Sequence, residues 1–211
     1  MYAARFSMRD AERQHIWAVL TRHFFQRWIR DTDSVLDLGS GYCEFINTVK
    51  AAKKFALDLN PETPRRVGEG ICVLSQDVCE DWRIPAASLD VVFTSNFFEH
   101  LPDKASLEKC ARHAFRALKP GGTLIALGPN IRFCGDVYWD FFDHLIPLSD
   151  RSTAELLRLA GFHVQHVIPR FLPYTMSQRR LPSPAFVRIY LALPMAWRIF
   201  GKQFLIIASK P

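Results

Sequence analysis

Short apolar runs that alternate with longer polar segments constrain this chain more than any other feature. Ser34-Val35-Leu36-Asp37-Leu38-Gly39 is the first such run, and glycine closes it. Near-continuous apolar character is what a strand covered on both faces needs, because neither face meets water. Similar runs recur at Phe55–Leu59, Cys72–Ser75, Leu89–Thr94, Thr123–Leu127, His163–Ile168 and Gln203–Ser209. The segments between them are long enough for crossovers, so the pattern predicts an α/β fold with a seven-stranded, mostly parallel sheet and helices on both sides.

The helical segments follow a different period. From Asp10 to about Arg30, apolar residues at Ile16, Val19, Leu20, Phe24 and Ile29 predict one or two N-terminal helices. Over 103–118, Leu107, Cys110, Ala111, Ala114, Phe115 and Leu118 make a single apolar stripe that stops at Lys119-Pro120-Gly121-Gly122. A helix over 152–160 opens with Ser152-Thr153-Ala154-Glu155, where Ser or Thr can cap the free amides and Glu can reach back, and Gly161 closes it.

At 211 residues, 49% hydrophobic and 23% charged, the chain suits one domain able to bury roughly 70% of its unfolded surface. The five cysteines, Cys43, Cys72, Cys79, Cys110 and Cys134, are scattered and odd in number, which predicts a reducing, cytoplasmic setting. The start, MYAARFSMRDAERQHIW, holds no apolar run of the kind a secretory signal requires, so export is not expected.

The net charge of +6 is concentrated late in the chain. Residues 151–211 carry Arg151, Arg158, Arg170, Arg179, Arg180, Arg188, Arg198, Lys202 and Lys210 against Glu155 alone. Such a segment favours phosphate groups or an anionic membrane surface, or is a solvated face without a partner.

In Val35–Gly41 the glycines allow a sharp turn and close backbone approach to a ligand where the first strand feeds the next helix. Asp58 ends the second run, 19 residues beyond Gly39, where a carboxylate can accept from both ribose hydroxyls. Val35–Gly41, Ala56-Leu57-Asp58-Leu59-Asn60, Gln76-Asp77-Val78, Leu89–His100 and Leu118–Leu127 together resemble the successive signatures of class I S-adenosylmethionine-dependent methyltransferases. The resemblance spans about residues 34–168 and is nearest the diverse type 11-like group, whose fourth-strand region reads like Asn96-Phe97-Phe98-Glu99-His100-Leu101.

The resemblance implies a Rossmann-like sheet whose last strand is antiparallel, with S-adenosylmethionine as cofactor. It implies a single methyltransferase domain over 1–211: N-terminal helices at 1–33, a cofactor-binding core at 34–168, and an insertion or lid at 170–202 before the last strand, 203–209. Gly39, Ser40 and Gly41 would line the methionine part, with Asp37 orienting the loop and the ammonium group. Asp58 would hold the ribose, Asp77 the adenine amino group, Leu59 and Val78 would sandwich the ring, and Asn96 would bound the methionyl end.

A nicotinamide-dependent oxidoreductase begins its pyrophosphate fingerprint in the same way. Glu44 argues against that reading, because it stands at the third glycine position, where a carboxylate would repel a pyrophosphate. A cofactor-binding partner subunit without transfer activity is the other alternative, opposed by the intact Asp37, Gly39, Gly41 and Asp58.

Methyl transfer from a sulfonium relies on positioning and desolvation, and a hydroxyl acceptor adds the need for a proton acceptor. His144, in Asp140-Phe141-Phe142-Asp143-His144, is the candidate, with Asp143 or Asp140 to orient it. His100 reads as a helix-start or structural residue, and no cluster with metal-ligand spacing emerges, so no metal is expected. The fourth run ends Ser95-Asn96-Phe97-Phe98 rather than in the Asn/Asp-Pro-Pro-aromatic pattern of nucleobase methyltransferases, which disfavours nucleic acid as substrate.

The aromatic and arginine-rich segment 170–202 either packs on the sheet or covers a small-molecule or lipid-linked acceptor, with peripheral membrane contact. Its apolar stretch Pro184–Phe200 is cut by Arg188, Pro194 and Arg198 and is too short to span a bilayer comfortably.

Overall fold

The computed structural model of the protein describes residues 10–174 and 182–211. Strands β1 (Ser34–Leu38), β2 (Lys53–Leu57), β3 (Ile71–Leu74), β4 (Leu89–Ser95), β5 (Leu118–Pro129), β6 (His163–Ile168) and β7 (Gln203–Ser209) form one sheet in the order β3-β2-β1-β4-β5-β7-β6. The first five pair in parallel, and β7 runs antiparallel to β5 and to β6. All seven runs are strands, and for the last two the expected bounds and the observed bounds coincide.

Alternate residues of the central strands enter two separate cores, which is why their sequences are apolar throughout. On one face Leu36, Leu38, Val92, Leu124 and Ile206 pack with Leu107, Cys110, Ala111 and Ala114 of α4 (Lys104–Ala117) and with Ala154 and Leu157 of α6 (Asp150–Leu159). On the other, Val35, Val91, Phe93, Ile125 and Ile207 pack with Leu20 of α1 (Asp10–His23), Phe45 and Ile46 of α2 (Glu44–Thr48), and Val187, Tyr190 and Leu191 of α7 (Pro184–Leu191). Two short helices, α3 (Thr63–Arg66) and α5 (Ile131–Cys134), lie in the connections after β2 and β5.

Three local expectations are refined. The N-terminal stripe is α1 followed by a 3-10 turn, Phe25–Trp28. The Lys119-Pro120-Gly121-Gly122 stop ends α4, but β5 begins at Leu118 with no loop between them. Helix α6 starts two residues earlier than Ser152: Ser149 is the cap and accepts from the Ser152 amide (3.1 Å), while the Ser152 hydroxyl accepts from the Ser149 amide (3.0 Å). Serine thus does what Glu155 was expected to do, because Ser149 lies three residues before Ser152 and the box needs that spacing.

The 170–202 segment contains α7 and α8 (Pro194–Phe200), each opened by proline in its first turn. One face of α7 is core, so this helix packs on the sheet, whereas α8 buries none of its residues. Phe186, Ile189, Leu193, Met195, Ile199 and Phe200 nevertheless remain exposed. Met176, Arg179 and Arg180 of the same segment lie outside the described residues. Among the described residues no helix is long and apolar enough to cross a membrane.

Candidate functional site

The carboxyl ends of β1, β2 and β4 meet where the strand order reverses its direction of growth, with β2 on one side of β1 and β4 on the other. Ligands of open α/β sheets lie in the crevice at such a point. Gly39 leaves β1 with φ +69°, and a Cβ on it would stand 2.2 Å from the Phe97 ring. Only glycine permits both that backbone angle and that ring. The Gly41 amide donates to Asp58 Oδ2 (2.6 Å), and Asp58 Oδ1 accepts from the Asn60 amide (2.8 Å). These bonds fix the loop after β1 against the residue after β2, and a carboxylate still has lone pairs to offer a ligand.

Asp37 faces the same loop from within β1 and is 4% exposed. Burial, then the charges of Glu44 and Asp58, hold its carboxyl well above the usual carboxylate range, opposed by a hydrogen bond from the Ile46 backbone. A buried acid in this condition is a site that gains from a cation. Helix α1 roofs this end of the crevice: Arg13 pairs with Glu44, and Trp17 meets Phe93 edge-on at 6.1 Å between centroids. Phe45 stacks on Phe93 at 3.7 Å.

Asn96 follows β4 in the left-handed region, φ +48°. Its amide donates to Ser95 Oγ (3.1 Å), while its buried Oδ1 has no hydrogen-bond partner. The Ser40 hydroxyl is buried and unpartnered as well. Unsatisfied polar atoms cost free energy unless a ligand meets them. Together with the Asp37 carboxyl they fit a ligand that carries an ammonium group and several hydroxyls.

Beyond Asn96 the crevice continues into an aromatic and acid–base chamber. Glu99 and His100 end the 3-10 turn Phe98–His100 after β4. Glu99 is 1% exposed, and burial pushes its carboxyl up to about 7. His100 Nδ1 lies 2.7 Å from the Asp143 carbonyl, so it donates there when the ring is neutral. His144 is buried beside Phe141, Tyr138 and Tyr174, stacked on Phe141 at 5.1 Å. Its Nε2 is 3.4 Å from the Tyr174 hydroxyl. Tyr138 secures the loop by donating to the Ile146 carbonyl (2.5 Å) and accepting from the Leu148 amide (3.1 Å).

One cavity of about 1030 Å³ joins both ends. Of the residues singled out in the sequence, Asp37, Gly39, Ser40, Gly41, Asp58, Asn96 and His144 wall it, and Leu59, Asp77 and Val78 do not. Leu59 is 64% exposed, Asp77 accepts from the Cys79 amide (2.8 Å), and Val78 is 5% exposed in the α4-side core. Sequence reasoning did not single out Arg13, Trp17, Glu99 or Tyr174 as wall residues. Glu99 carried a signal, a carboxylate between Phe98 and His100 at a strand end. Arg13 carried none, since its partner Glu44 is 31 positions away.

Residues 36–126 match the family model described as a methyltransferase domain. Among curated proteins no match is found. Among solved structures, an S-adenosylmethionine-dependent methyltransferase of Archaeoglobus fulgidus is similar over 97% of this chain and 99% of its own, at 19% identity and TM-score 0.69. A Thermotoga maritima protein described as a possible histamine N-methyltransferase is similar over 99% and 98%, at 18% identity and TM-score 0.68. A Haloferax volcanii methyltransferase, solved in complex with the activator Trm112, is similar over 99% and 94%, at 19% identity and TM-score 0.68.

Proposed function

We propose that the chain, whose residues 36–126 match a methyltransferase-domain model and whose fold is that of solved class I methyltransferases, uses S-adenosylmethionine to transfer a methyl group to a hydroxyl of a small-molecule or lipid- or glycan-linked acceptor. The single observation that carries this reading is the continuity of the cavity from the Asp37–Gly41 loop and Asp58 to the chamber around His144. A donor at one end and an acceptor at the other then share a desolvated space.

In this reading the Asp37 carboxyl, Gly39, Ser40 and Gly41 take the methionine part, Asp58 the ribose, and Asn96 bounds the methionyl end. Leu59, Asp77 and Val78 lie outside the cavity walls, and for Leu59 and Val78 to sandwich the adenine and Asp77 to accept from its amino group the ring would have to extend past Asp58 to reach them. The cofactor supplies an activated methyl on sulfur. Held there, that methyl would be open to an acceptor oxygen in the chamber, and His144, at the acceptor end, would take the hydroxyl proton. The Glu44 side chain, 10% exposed and walling the cavity in its pair with Arg13, puts a bulky group where the dinucleotide fingerprint has its third glycine and disfavours a nicotinamide cofactor.

The exposed apolar residues of α7 and α8, flanked by Arg188 and Arg198, suit peripheral contact with an anionic membrane that presents a lipid-linked acceptor.

Calorimetric titration with S-adenosylmethionine, S-adenosylhomocysteine and NADH, with Asp58→Ala beside the parent, tests the cofactor assignment. Micromolar binding of the first two, lost in the variant, supports it. Binding of NADH alone overturns it, and cofactor binding without turnover on hydroxylated or lipid-linked acceptors transfers the assignment to a partner subunit.

A further inference from the structure

Three side chains in the acceptor chamber form a group that the cofactor does not need. Glu99 and His100 come from the turn after β4, and His144 comes from the loop before α6. One ligand atom from each lies within 4.8 Å of the other two. Glu99 Oε1 and His100 Nε2 are 4.0 Å apart, close to twice a metal–ligand bond of about 2.1 Å. Glu99 Oε1 is buried and has no hydrogen-bond partner, and among the described residues no lysine or arginine pairs with this carboxylate.

The surroundings support the same geometry. The Asp143 carbonyl takes the proton of His100 Nδ1, which leaves the Nε2 lone pair available 4.0 Å from Glu99 Oε1. A carbonyl on the far nitrogen is the usual support that fixes a metal-bound imidazole. The Leu145 and Ile146 amides both donate to the Glu99 carbonyl, at 2.8 and 3.1 Å, so the loop bearing His144 is tied to the turn bearing the other two side chains. A buried carboxylate whose nearest potentially cationic partner is an imidazole 4.0 Å away is costly, and a metal cation between them resolves that cost.

We propose that Glu99, His100 and His144 bind a divalent transition-metal cation at the acceptor end of the cavity. Two imidazoles and one carboxylate suit zinc, manganese, iron or cobalt rather than calcium or magnesium, and three protein ligands leave positions open to an exogenous oxygen. Binding of the cation stands independently of the methyl-transfer reading. Its use, to hold an acceptor hydroxyl or carboxyl oxygen beside Asn96 and ease loss of its proton in place of His144, rests on that reading.

The test uses the full chain, stripped with a chelator and titrated with Zn²⁺, Mn²⁺ and Co²⁺ by calorimetry, with the visible spectrum of the Co²⁺ form recorded. One equivalent of at least one metal is expected, with ligand-field bands for cobalt. Glu99→Gln and His144→Gln should each weaken binding by more than about tenfold. His166→Ala, an exposed histidine on β6, should leave it unchanged. Thermal melts of every variant report on folding, and S-adenosylhomocysteine titration reports on the cofactor site. Metal binding without S-adenosylhomocysteine binding would leave the cation site standing and remove the cofactor reading. A parent that binds S-adenosylhomocysteine but no metal, or folded Glu99→Gln and His144→Gln variants that bind metal as the parent does, would overturn the proposal.

Discussion

Asp37 shows at the scale of one residue how the site opposes the stability of the fold. Its folded-state carboxyl titrates above its unfolded value, because burial and the Glu44 and Asp58 charges disfavour ionisation. The folded chain therefore binds more protons than the unfolded one, and stability falls as pH rises from about 4 through the raised folded value. Asp37→Asn keeps an acceptor for the Ile46 amide and removes the charge. Thermal melts without cofactor should show the variant gaining on the parent as pH rises through that window, while S-adenosylmethionine binding is lost. Parallel melting curves would show that the carboxyl is not under this strain. Gly39→Ala meets a different obstacle, a left-handed backbone angle and the Phe97 ring. It should cost about 1–3 kcal/mol in denaturant unfolding. Gly39→Ala combined with Phe97→Ala should recover only the part due to the clash. The pattern of Asp37, Gly39 and Asp58 was legible because strand ends and turn glycines are local signals. Glu99 was visible in its motif, but its burial without a partner depends on a loop more than forty positions away, which no local pattern encodes.

At the scale of elements, the strands were legible and the contacts between helices were not. Period and length show that Asp10–His23 has an apolar stripe. They do not show that this stripe places Trp17 and Arg13 over the cavity. The Arg13–Glu44 pair is mostly buried, with side chains 18% and 10% exposed, so Arg13→Ala leaves the Glu44 carboxylate uncompensated beside Asp37. The single variant should lose about 1–3 kcal/mol by chemical denaturation, and adding Glu44→Gln should restore most of it. Strict additivity of the two would refute a coupling between α1 and α2. At the start of α6, Ser149→Ala should cost about 1 kcal/mol, with Thr153→Ser as a comparison that leaves the cap intact. The expected Ser152 cap was misplaced by one turn because several serines and threonines near a helix start satisfy the same local pattern, and only the backbone geometry chooses among them.

For the molecule as a whole, the alternation of runs revealed a two-faced α/β sheet, since a strand covered on both sides has a composition of its own. The division of 170–202 into a packed face and an exposed face was not legible, because apolar residues at helical spacing look alike in core and on surface. Val187, Tyr190 and Leu191 are buried, whereas Phe186, Ile189 and Ile199 are exposed beside Arg188 and Arg198. The parent should float with anionic liposomes and less so with zwitterionic ones. Phe186→Asp with Ile199→Asp should abolish flotation while S-adenosylhomocysteine binding persists, and a parent that never floats would discard the membrane face.

The placement of β7 between β5 and β6 has a consequence for synthesis on the ribosome. Among the described residues β6 pairs with β7 alone, so a nascent chain that has emerged through residue 168 holds five strands in register and a sixth with nowhere to dock. Until Gln203–Ser209 is translated, the long apolar edge of β5 stays open to pairing with other chains. The interval between emergence of β6 and of β7 is the period in which this protein most needs a chaperone.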